Sequence, residues 1–179
     1  MTNGVIIKNY LSPCGELITG VWGDKVFLCD WNLERRRKKQ NNICRRIESL
    51  ITEDKQRKDT SEKTSSTVKL LESQLDEYFE GERENFDIDL LFIGTEFQKK
   101  VWNILADIPY GKTFSYSEIY ENMGIHTGVR AVANAIGANP LSILIPCHRV
   151  INKNGTIGGY AGGKETKSFL LKLEKKEKK

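Results

Sequence analysis

Cys147 and His148 stand side by side in the chain, and their residue types suit nucleophilic chemistry. A cysteine attacks as its thiolate, and a nearby imidazole can take the thiol proton. Residues 143–146 form an apolar run that ends in proline, which predicts a buried extended segment with a sharp change of direction before the nucleophile. A buried structural cysteine is the alternative, because free cysteine is commonly buried.

The adjacency of the two side chains is a geometric problem, because neighbouring residues do not face each other on a helix or a strand. We therefore expect His148 to reach the Cys147 thiol through a turn or a bridging water. A third group would have to orient the imidazole, as in other sets of nucleophile, base and orienting residue. The spacing of the residues alone does not name that group.

The chain has 179 residues, of which 39% are hydrophobic, enough for one large or two small domains with packed cores. Its net charge of +4 is unevenly distributed. Residues 1–90 contain 15 Lys and Arg against 17 Asp and Glu, whereas residues 91–179 contain 13 against 7. The basic second half fits a polyanionic partner, although the tail at residues 175–179 contributes part of the excess.

Cysteine usage and hydropathy indicate a reducing compartment. The cysteines at positions 14, 29, 44 and 147 have no CxxC spacing, which argues against both a zinc motif and a disulfide framework. The sequence has no N-terminal signal pattern and no apolar run of membrane-spanning length. We expect a cytoplasmic protein, nuclear in a eukaryote, that uses neither a membrane nor a metal.

Residues 1–90 have the pattern of a small α/β domain without a catalytic constellation. Short apolar runs separated by turn residues predict antiparallel strands at residues 5–7, 17–19 and 26–28. Apolar residues at helical spacing predict a helix at 67–80, followed at 86–90 by a strand or by the connection to the next domain.

The charged segment at residues 34–67 is the least informative part of the sequence. Its second part, residues 52–67, is rich in Thr, Ser, Lys, Glu and Asp and predicts a flexible loop. The basic run at residues 35–39 fits a contact with phosphate, a solvated helix face or a mobile loop, and charge runs are more often one of the last two.

Residues 91–179 contain three signals for the start of a helix. Two pairs have the spacing of a capping box: Thr95 with Gln98, and Ser115 with Glu118. A third helix, capped by Thr127, is expected to end near Gly137. The helix that begins at Ser115 and the third helix lie on either side of a turn at Gly124. This arrangement fits a helix-turn-helix or an ordinary corner of a helical bundle.

The segment after the nucleophile predicts a wing, a glycine loop and a helix. Residues 150–151 and Ile157 flank the turn cluster at 152–155, which is typical of two paired strands. The glycines at 158–163 permit close approach of the backbone to a ligand, or form a flexible connector. Residues 164–176 predict a helix with one apolar face.

The run from Asn139 to Val150 resembles the active-site signature of the O6-alkylguanine-DNA alkyltransferases, also called methylated-DNA–protein-cysteine methyltransferases. Correctly spaced companions are Phe114-Ser115-Tyr116, Arg130-Ala131-Val132, residues 159–163 and Leu170-Leu171-Lys172-Leu173-Glu174. The resemblance is strong over residues 91–179 and loose over the first half. It implies an α+β protein: a small α/β N-terminal domain with an antiparallel sheet at 1–90, then a mainly helical winged helix-turn-helix-like domain for DNA binding and alkyl transfer at 91–179.

The resemblance also implies a reaction. Double-stranded DNA with an alkyl group on O6 of guanine is the substrate, with O4 of thymine as an alternative target. The base is flipped out of the stack, and its methyl or other alkyl group passes irreversibly to Cys147. No cofactor is needed, because the alkyl group ends on the protein, so each monomer should react once.

Residue by residue, the family's roles fall on nine positions of this chain. His148 is the base that acts through water, Glu174 orients it, and Asn139 braces the turn beside Cys147. Arg130 is expected to enter the base stack, since a guanidinium is planar, charged and stacks on bases, although a phosphate-binding arginine would look the same. The guanine would accept a hydrogen bond from the Tyr116 side chain and contact the backbones of Val150 and Ala161. Tyr160 would form a wall of the pocket.

The sequence leaves three points open. Some family members have a second proline where this chain has Ser142, so the mouth of the pocket is expected to differ in shape. A DNA-binding module without chemistry is one other class, and the presence of Cys147 argues against it. A thiol hydrolase that uses Cys147 and His148 is another, and it would need an oxyanion hole.

Overall fold

The computed structural model describes residues 4–53, 60–124 and 128–175. The chain divides into two compact units, residues 1–93 and residues 94–179, which we call unit 1 and unit 2. Within the described parts, none of the helices combines the length and the apolar character needed to cross a bilayer.

Unit 1 is built on a four-stranded sheet. Strands β1 (Val5–Ser12), β2 (Gly15–Trp22) and β3 (Lys25–Trp31) pair as consecutive antiparallel neighbours, and β4 (Asp89–Leu90) adds to β3 in parallel. The antiparallel sheet of the expected α+β fold is therefore confirmed. The strands are longer than the apolar runs that predicted them, because polar residues on the solvent side of β1 and β2 continue the hydrogen-bonded ladder.

Two helices cover this sheet. Helix α1 (Glu34–Glu53) places Ile43, Ile47 and Ile51 at helical spacing, and these isoleucines form a buried cluster with Phe27 and Leu28 of β3. The continuous helix shows that the charged segment is not a mobile loop up to residue 53.

Helix α2 (Ser61–Glu80) corrects the loop predicted at residues 52–67, of which 54–59 lie outside the described residues. Its first turns are held by buried threonines that composition alone assigns to a loop. The Gly23 N–H donates to Thr64 Oγ1 at 2.8 Å, and Thr67 Oγ1 donates to the Gly23 carbonyl at 2.9 Å. These two hydrogen bonds attach the polar start of the helix to the turn between β2 and β3.

A buried ion pair joins β3 to α1. The Arg36 guanidinium contacts the carboxylate of Asp30, with 2.9 Å from Nη2 to Oδ1 and 3.0 Å from Nε to Oδ2. Gln40 Nε2 donates to Asp30 Oδ2 at 3.2 Å, and the Trp31 N–H donates to Asp30 Oδ1 at 3.0 Å. Asp30 is fully buried, so its charge is compensated entirely by protein groups.

Changing Arg36 to methionine should lower the free energy of unfolding by about 3–5 kcal/mol, because it leaves the Asp30 carboxylate buried without its cation. Arg37 is the matched control: it is the next residue in the basic run and is exposed. Urea unfolding followed by circular dichroism checks both variants. Equal midpoints for Arg36→Met and Arg37→Met would show that the ion pair does not stabilise unit 1.

Unit 2 contains four α-helices, a single turn of 3₁₀ helix and one small sheet in its described residues. The helices are α3 (Glu96–Ala106), α4 (Tyr116–Asn122), α5 (Val129–Gly137) and α6 (Lys164–Glu174). Both predicted capping boxes are present, at Thr95 and at Ser115, and α5 ends at Gly137 as expected. Thr127, predicted to cap α5, lies outside the described residues. Helices α4 and α5 pack against each other, with Ile119 and Val132 buried.

The predicted two-stranded wing is wrong in its pairing. Strand β6 (Val150–Ile151) pairs in parallel with β5 (Phe114–Ser115), and Ile157 belongs to no strand. Asn152 and Thr156 close the turn instead, through a 2.9 Å hydrogen bond from the Asn152 N–H to the Thr156 carbonyl. Local turn chemistry predicted the turn correctly, but the partner strand lies far upstream in the sequence and is brought there by tertiary packing.

Candidate active site

The segment before Cys147 is held by the side chain of Asn139. Asn139 Nδ2 donates to the Ile145 carbonyl at 2.9 Å, and the Leu141 N–H donates to Asn139 Oδ1 at 2.9 Å. Ile143 has a φ of 72°, an uncommon conformation for a β-branched residue that the buried surroundings must impose. Together these contacts make the loop a rigid support that ends at Cys147.

Cys147, His148 and Arg149 form one turn of 3₁₀ helix. A turn of this kind has about three residues, so the three side chains point in different directions. The Cys147 side chain faces a pocket, whereas the His148 side chain is fully buried beside the edge of the Tyr160 ring. The turn therefore directs one of two adjacent side chains into the pocket and the other into the interior.

His148 is oriented by Glu174, at the end of α6. The Nε2 atom lies 2.6 Å from Oε1 of Glu174, and because an ionised carboxylate only accepts, Nε2 carries the proton. His148 Nδ1 is buried and has no hydrogen-bond partner among the residues that the structure describes. The carboxylate thus selects the tautomer in which Nδ1 holds the free lone pair.

Arg149 completes the charge arrangement around Glu174. Its Nε donates to Oε2 at 2.9 Å and its Nη2 to Oε1 at 3.0 Å, while Nη1 donates to the Ile108 carbonyl. Burial raises the Glu174 pKa, but the hydrogen bonds and charges of His148 and Arg149 outweigh it and hold the pKa at about 2. Burial lowers the His148 pKa despite the carboxylate, so at neutral pH a neutral imidazole faces an ionised carboxylate.

Cys147 opens onto a pocket of about 290 Å³, close to the lower end of the usual range for small-molecule sites, about 300 Å³. Tyr116 and Tyr160 supply its aromatic walls. The pocket is lined by Tyr116, Ala133, Ile136, Gly137, Cys147, Gly159, Tyr160 and Ala161. Burial raises the pKa of the Tyr116 phenol, and so does its electrostatic interaction with Cys147, which keeps the hydroxyl protonated and able to donate.

Three other residues predicted for the site do not line this pocket. Val150 is fully buried and absent from the pocket lining, and Arg130 is exposed in the first turn of α5. Ser142, expected to shape the mouth of the pocket, is fully buried and does not line it. A substitution at this position acts on the loop that supports Cys147 rather than on the pocket wall.

Lys167 is a buried residue of the site that the sequence reasoning missed. Its Nζ donates to the carbonyls of Val150 and, at 3.1 Å, of Gly159, and so joins the strand after Cys147 to the glycine loop. Burial lowers its pKa to about 8, and the charge of Cys147 counteracts part of that shift. Its spacing from Leu170 and Glu174 places it on the buried face of α6, and that signal was present in the sequence.

Comparison with known proteins points to one family. The sequence model described as "6-O-methylguanine DNA methyltransferase, DNA binding domain" matches residues 96–176. The inducible methylated-DNA–protein-cysteine methyltransferase of Bacillus subtilis is 52% identical over 103 residues, which cover 58% of this chain and 58% of that protein. The match thus spans less than two thirds of this relative's length.

Solved structures extend the similarity over nearly the whole chain. The crystal structure of Mycobacterium tuberculosis O6-methylguanine methyltransferase is 35% identical, covers 96% of this chain and 93% of its own, and superposes with a TM-score of 0.71. A crystal structure of the Mycobacterium tuberculosis protein in complex with DNA is similar at 34% identity, with coverage of 94% and 92% and a TM-score of 0.71.

Proposed function

The chain belongs to the methylated-DNA–protein-cysteine methyltransferase family, as its motifs predicted, and we propose that it repairs DNA by taking an alkyl group from O6 of guanine onto Cys147. One observation carries the proposal: Cys147 opens onto the pocket, next to the buried His148 that hydrogen-bonds to Glu174. We propose a monomer as the working unit.

The reaction proposed is a single displacement. His148 Nδ1 takes the thiol proton through a bridging water, and Glu174 stabilises the imidazolium that results. The Cys147 sulfur then attacks the alkyl carbon, so that a carbon–sulfur bond forms while the bond from carbon to O6 breaks. The electron pair remains on the purine, and the Tyr116 hydroxyl donates to the leaving base and stabilises its negative charge.

Access to the alkyl carbon requires the base to leave the duplex, because the target atom is enclosed in the stack. The pocket supports this step, since it is lined by two tyrosines and by small residues that leave room for a planar base. Helix α5 presents the exposed Arg130 at its start, and we propose that this guanidinium enters the space that the base vacates. Asn139 is proposed to brace the turn, and the backbones of Val150 and Ala161 to contact the guanine edge.

The other cysteines are poor competitors for the alkyl group. Burial raises the pKa of Cys14, Cys29 and Cys44, and a thiol with a raised pKa forms less thiolate at neutral pH. Cys147 alone among the four lines the pocket. We therefore expect modification at a single position.

Incubation with excess methylated duplex should transfer one methyl group per protein chain and then stop, since a thioether is a poor leaving group. Mass analysis of the peptides should find the added methyl on Cys147 and on no other cysteine. Continued release of product beyond one equivalent would indicate a hydrolase, and DNA binding without modification would indicate a recognition module. The same assay with O4-methylthymine in the duplex tests the alternative target.

A further inference from the structure

Helix α1 carries a basic surface that takes no part in the site described above. Residues 34–53 contain seven of the 15 Lys and Arg residues in the first 90 positions, but only three of the 17 Asp and Glu residues. The remaining positions of that segment therefore contain eight basic and 14 acidic residues. Positive charge is thus concentrated on one helix of an otherwise acidic unit, whereas an ordinary solvated surface mixes the two signs.

Helical geometry gathers most of these cations on one side of α1. With about 3.6 residues per turn, one side of α1 carries five cations that we call the basic stripe: Arg35, Lys38, Lys39, Arg45 and Arg46. Arg36, although within the same run, points to the opposite side, where it is buried against Asp30. The fold therefore uses Arg36 to pair with Asp30, whereas five of the other six cations lie along one side and Arg37 lies outside this group.

The basic stripe is accessible and matches the charge spacing of a nucleic acid. Arg35, Lys38, Arg45 and Arg46 are exposed, and Lys39 is half-buried. Between residues 35 and 46 the helix rises about 16 Å at about 1.5 Å per residue. Duplex DNA carries one negative charge per about 1.7 Å of its axis, so a stripe of this length can lie along several phosphates at once.

We propose that the basic stripe of α1 binds the phosphate backbone of duplex DNA and is a second DNA-binding surface, apart from the pocket that takes the flipped base. Its physiological role rests on the proposed function, because that function makes DNA the partner. The stripe contains no aromatic side chain for stacking on bases, so its contacts carry affinity without sequence preference. Guanidinium and ammonium groups both suit this role, since each contacts phosphate as a cation.

The test measures binding of the full chain to unmethylated duplex DNA by fluorescence anisotropy, between about 50 and 200 mM salt. The double variant Arg45→Gln/Arg46→Gln should bind about tenfold more weakly near 0.1 M salt, and its salt slope should be shallower by about 2. The matched control Lys25→Gln/Lys69→Gln removes two exposed cations from β3 and α2 and should stay within about twofold of the parent. Arg45→Lys/Arg46→Lys should retain parental binding, because it keeps the charge.

Methyl transfer from the free nucleoside O6-methylguanosine, scored in the same variants, separates this inference from the proposed function. A normal burst of transfer, together with equal DNA affinity in Arg45→Gln/Arg46→Gln and Lys25→Gln/Lys69→Gln, would overturn the inference and leave the repair activity intact. Absence of transfer in every variant, with the salt slope still reduced by Arg45→Gln/Arg46→Gln, would refute the repair function and support the stripe. Sedimentation without DNA provides a further check: loss of self-association in that variant would show that the stripe binds a second copy of the chain instead.

Discussion

Replacement of Cys147 by serine is expected to abolish methyl transfer while leaving the affinity for methylated duplex DNA within about twofold of the parent. A hydroxyl occupies nearly the same volume as a thiol but is a far poorer nucleophile at neutral pH. Cys147 is only 5% exposed and lies in the pocket, whereas DNA affinity should come mainly from phosphate contacts elsewhere on the surface.

Single-turnover assays with methylated duplex, together with anisotropy on the same duplex, measure the two effects separately. Cys44→Ser is the matched control, because Cys44 is a half-buried cysteine of α1 and lines no part of the pocket. It should transfer one full equivalent of methyl. A Cys147→Ser variant that still demethylates DNA, or that no longer binds it, would contradict the assignment of the nucleophile.

Changing Glu174 to glutamine should slow methyl transfer by about 100-fold or more, because the carboxylate that fixes the His148 tautomer and stabilises its imidazolium is lost. The same change leaves the Arg149 guanidinium buried without its anion, so the free energy of unfolding should fall by about 3–5 kcal/mol. Stability and rate must therefore be separated before the loss of activity is attributed to chemistry.

The double variant Arg149→Met/Glu174→Gln achieves that separation. Removing both charged partners takes away the uncompensated cation, so most of the lost stability should return while the rate stays low. The pH profile adds a second measure: Glu174 raises the His148 pKa, so without the carboxylate the acid limb of the rate should move to lower pH. A double variant that recovers both stability and rate would show that Glu174 has only a structural role.

Lys167 and Arg149 show how burial changes the role of a charged side chain. Each is a long cationic side chain that would usually face solvent, yet each is buried and bonded to backbone carbonyls of other segments. Lys167 restrains the glycine loop that lines the pocket, and Arg149 restrains the carboxylate that hydrogen-bonds to His148. Two buried cations thus hold segments of the candidate site in place.

The sequence by itself determined the features that depend on neighbouring residues. The two capping boxes, the end of α5 at Gly137 and the antiparallel strands followed from patterns within a few positions of one another, and the family followed from a twelve-residue run with correctly spaced companions. Such patterns are reliable because helix caps, turns and strand alternation are decided by local hydrogen bonds and local packing.

Tertiary structure alone decided which charges are buried and what they pair with. Arg149 reaches Glu174 across 25 positions and the Ile108 carbonyl across 41, and β6 pairs with β5 rather than with the segment next to it. The basic run at 35–39 likewise split, with Arg36 turned inward and its neighbours outward. These outcomes depend on the free-energy cost of desolvating a charge and on the partner group that compensates for that cost. The partner is known only once distant segments have packed together.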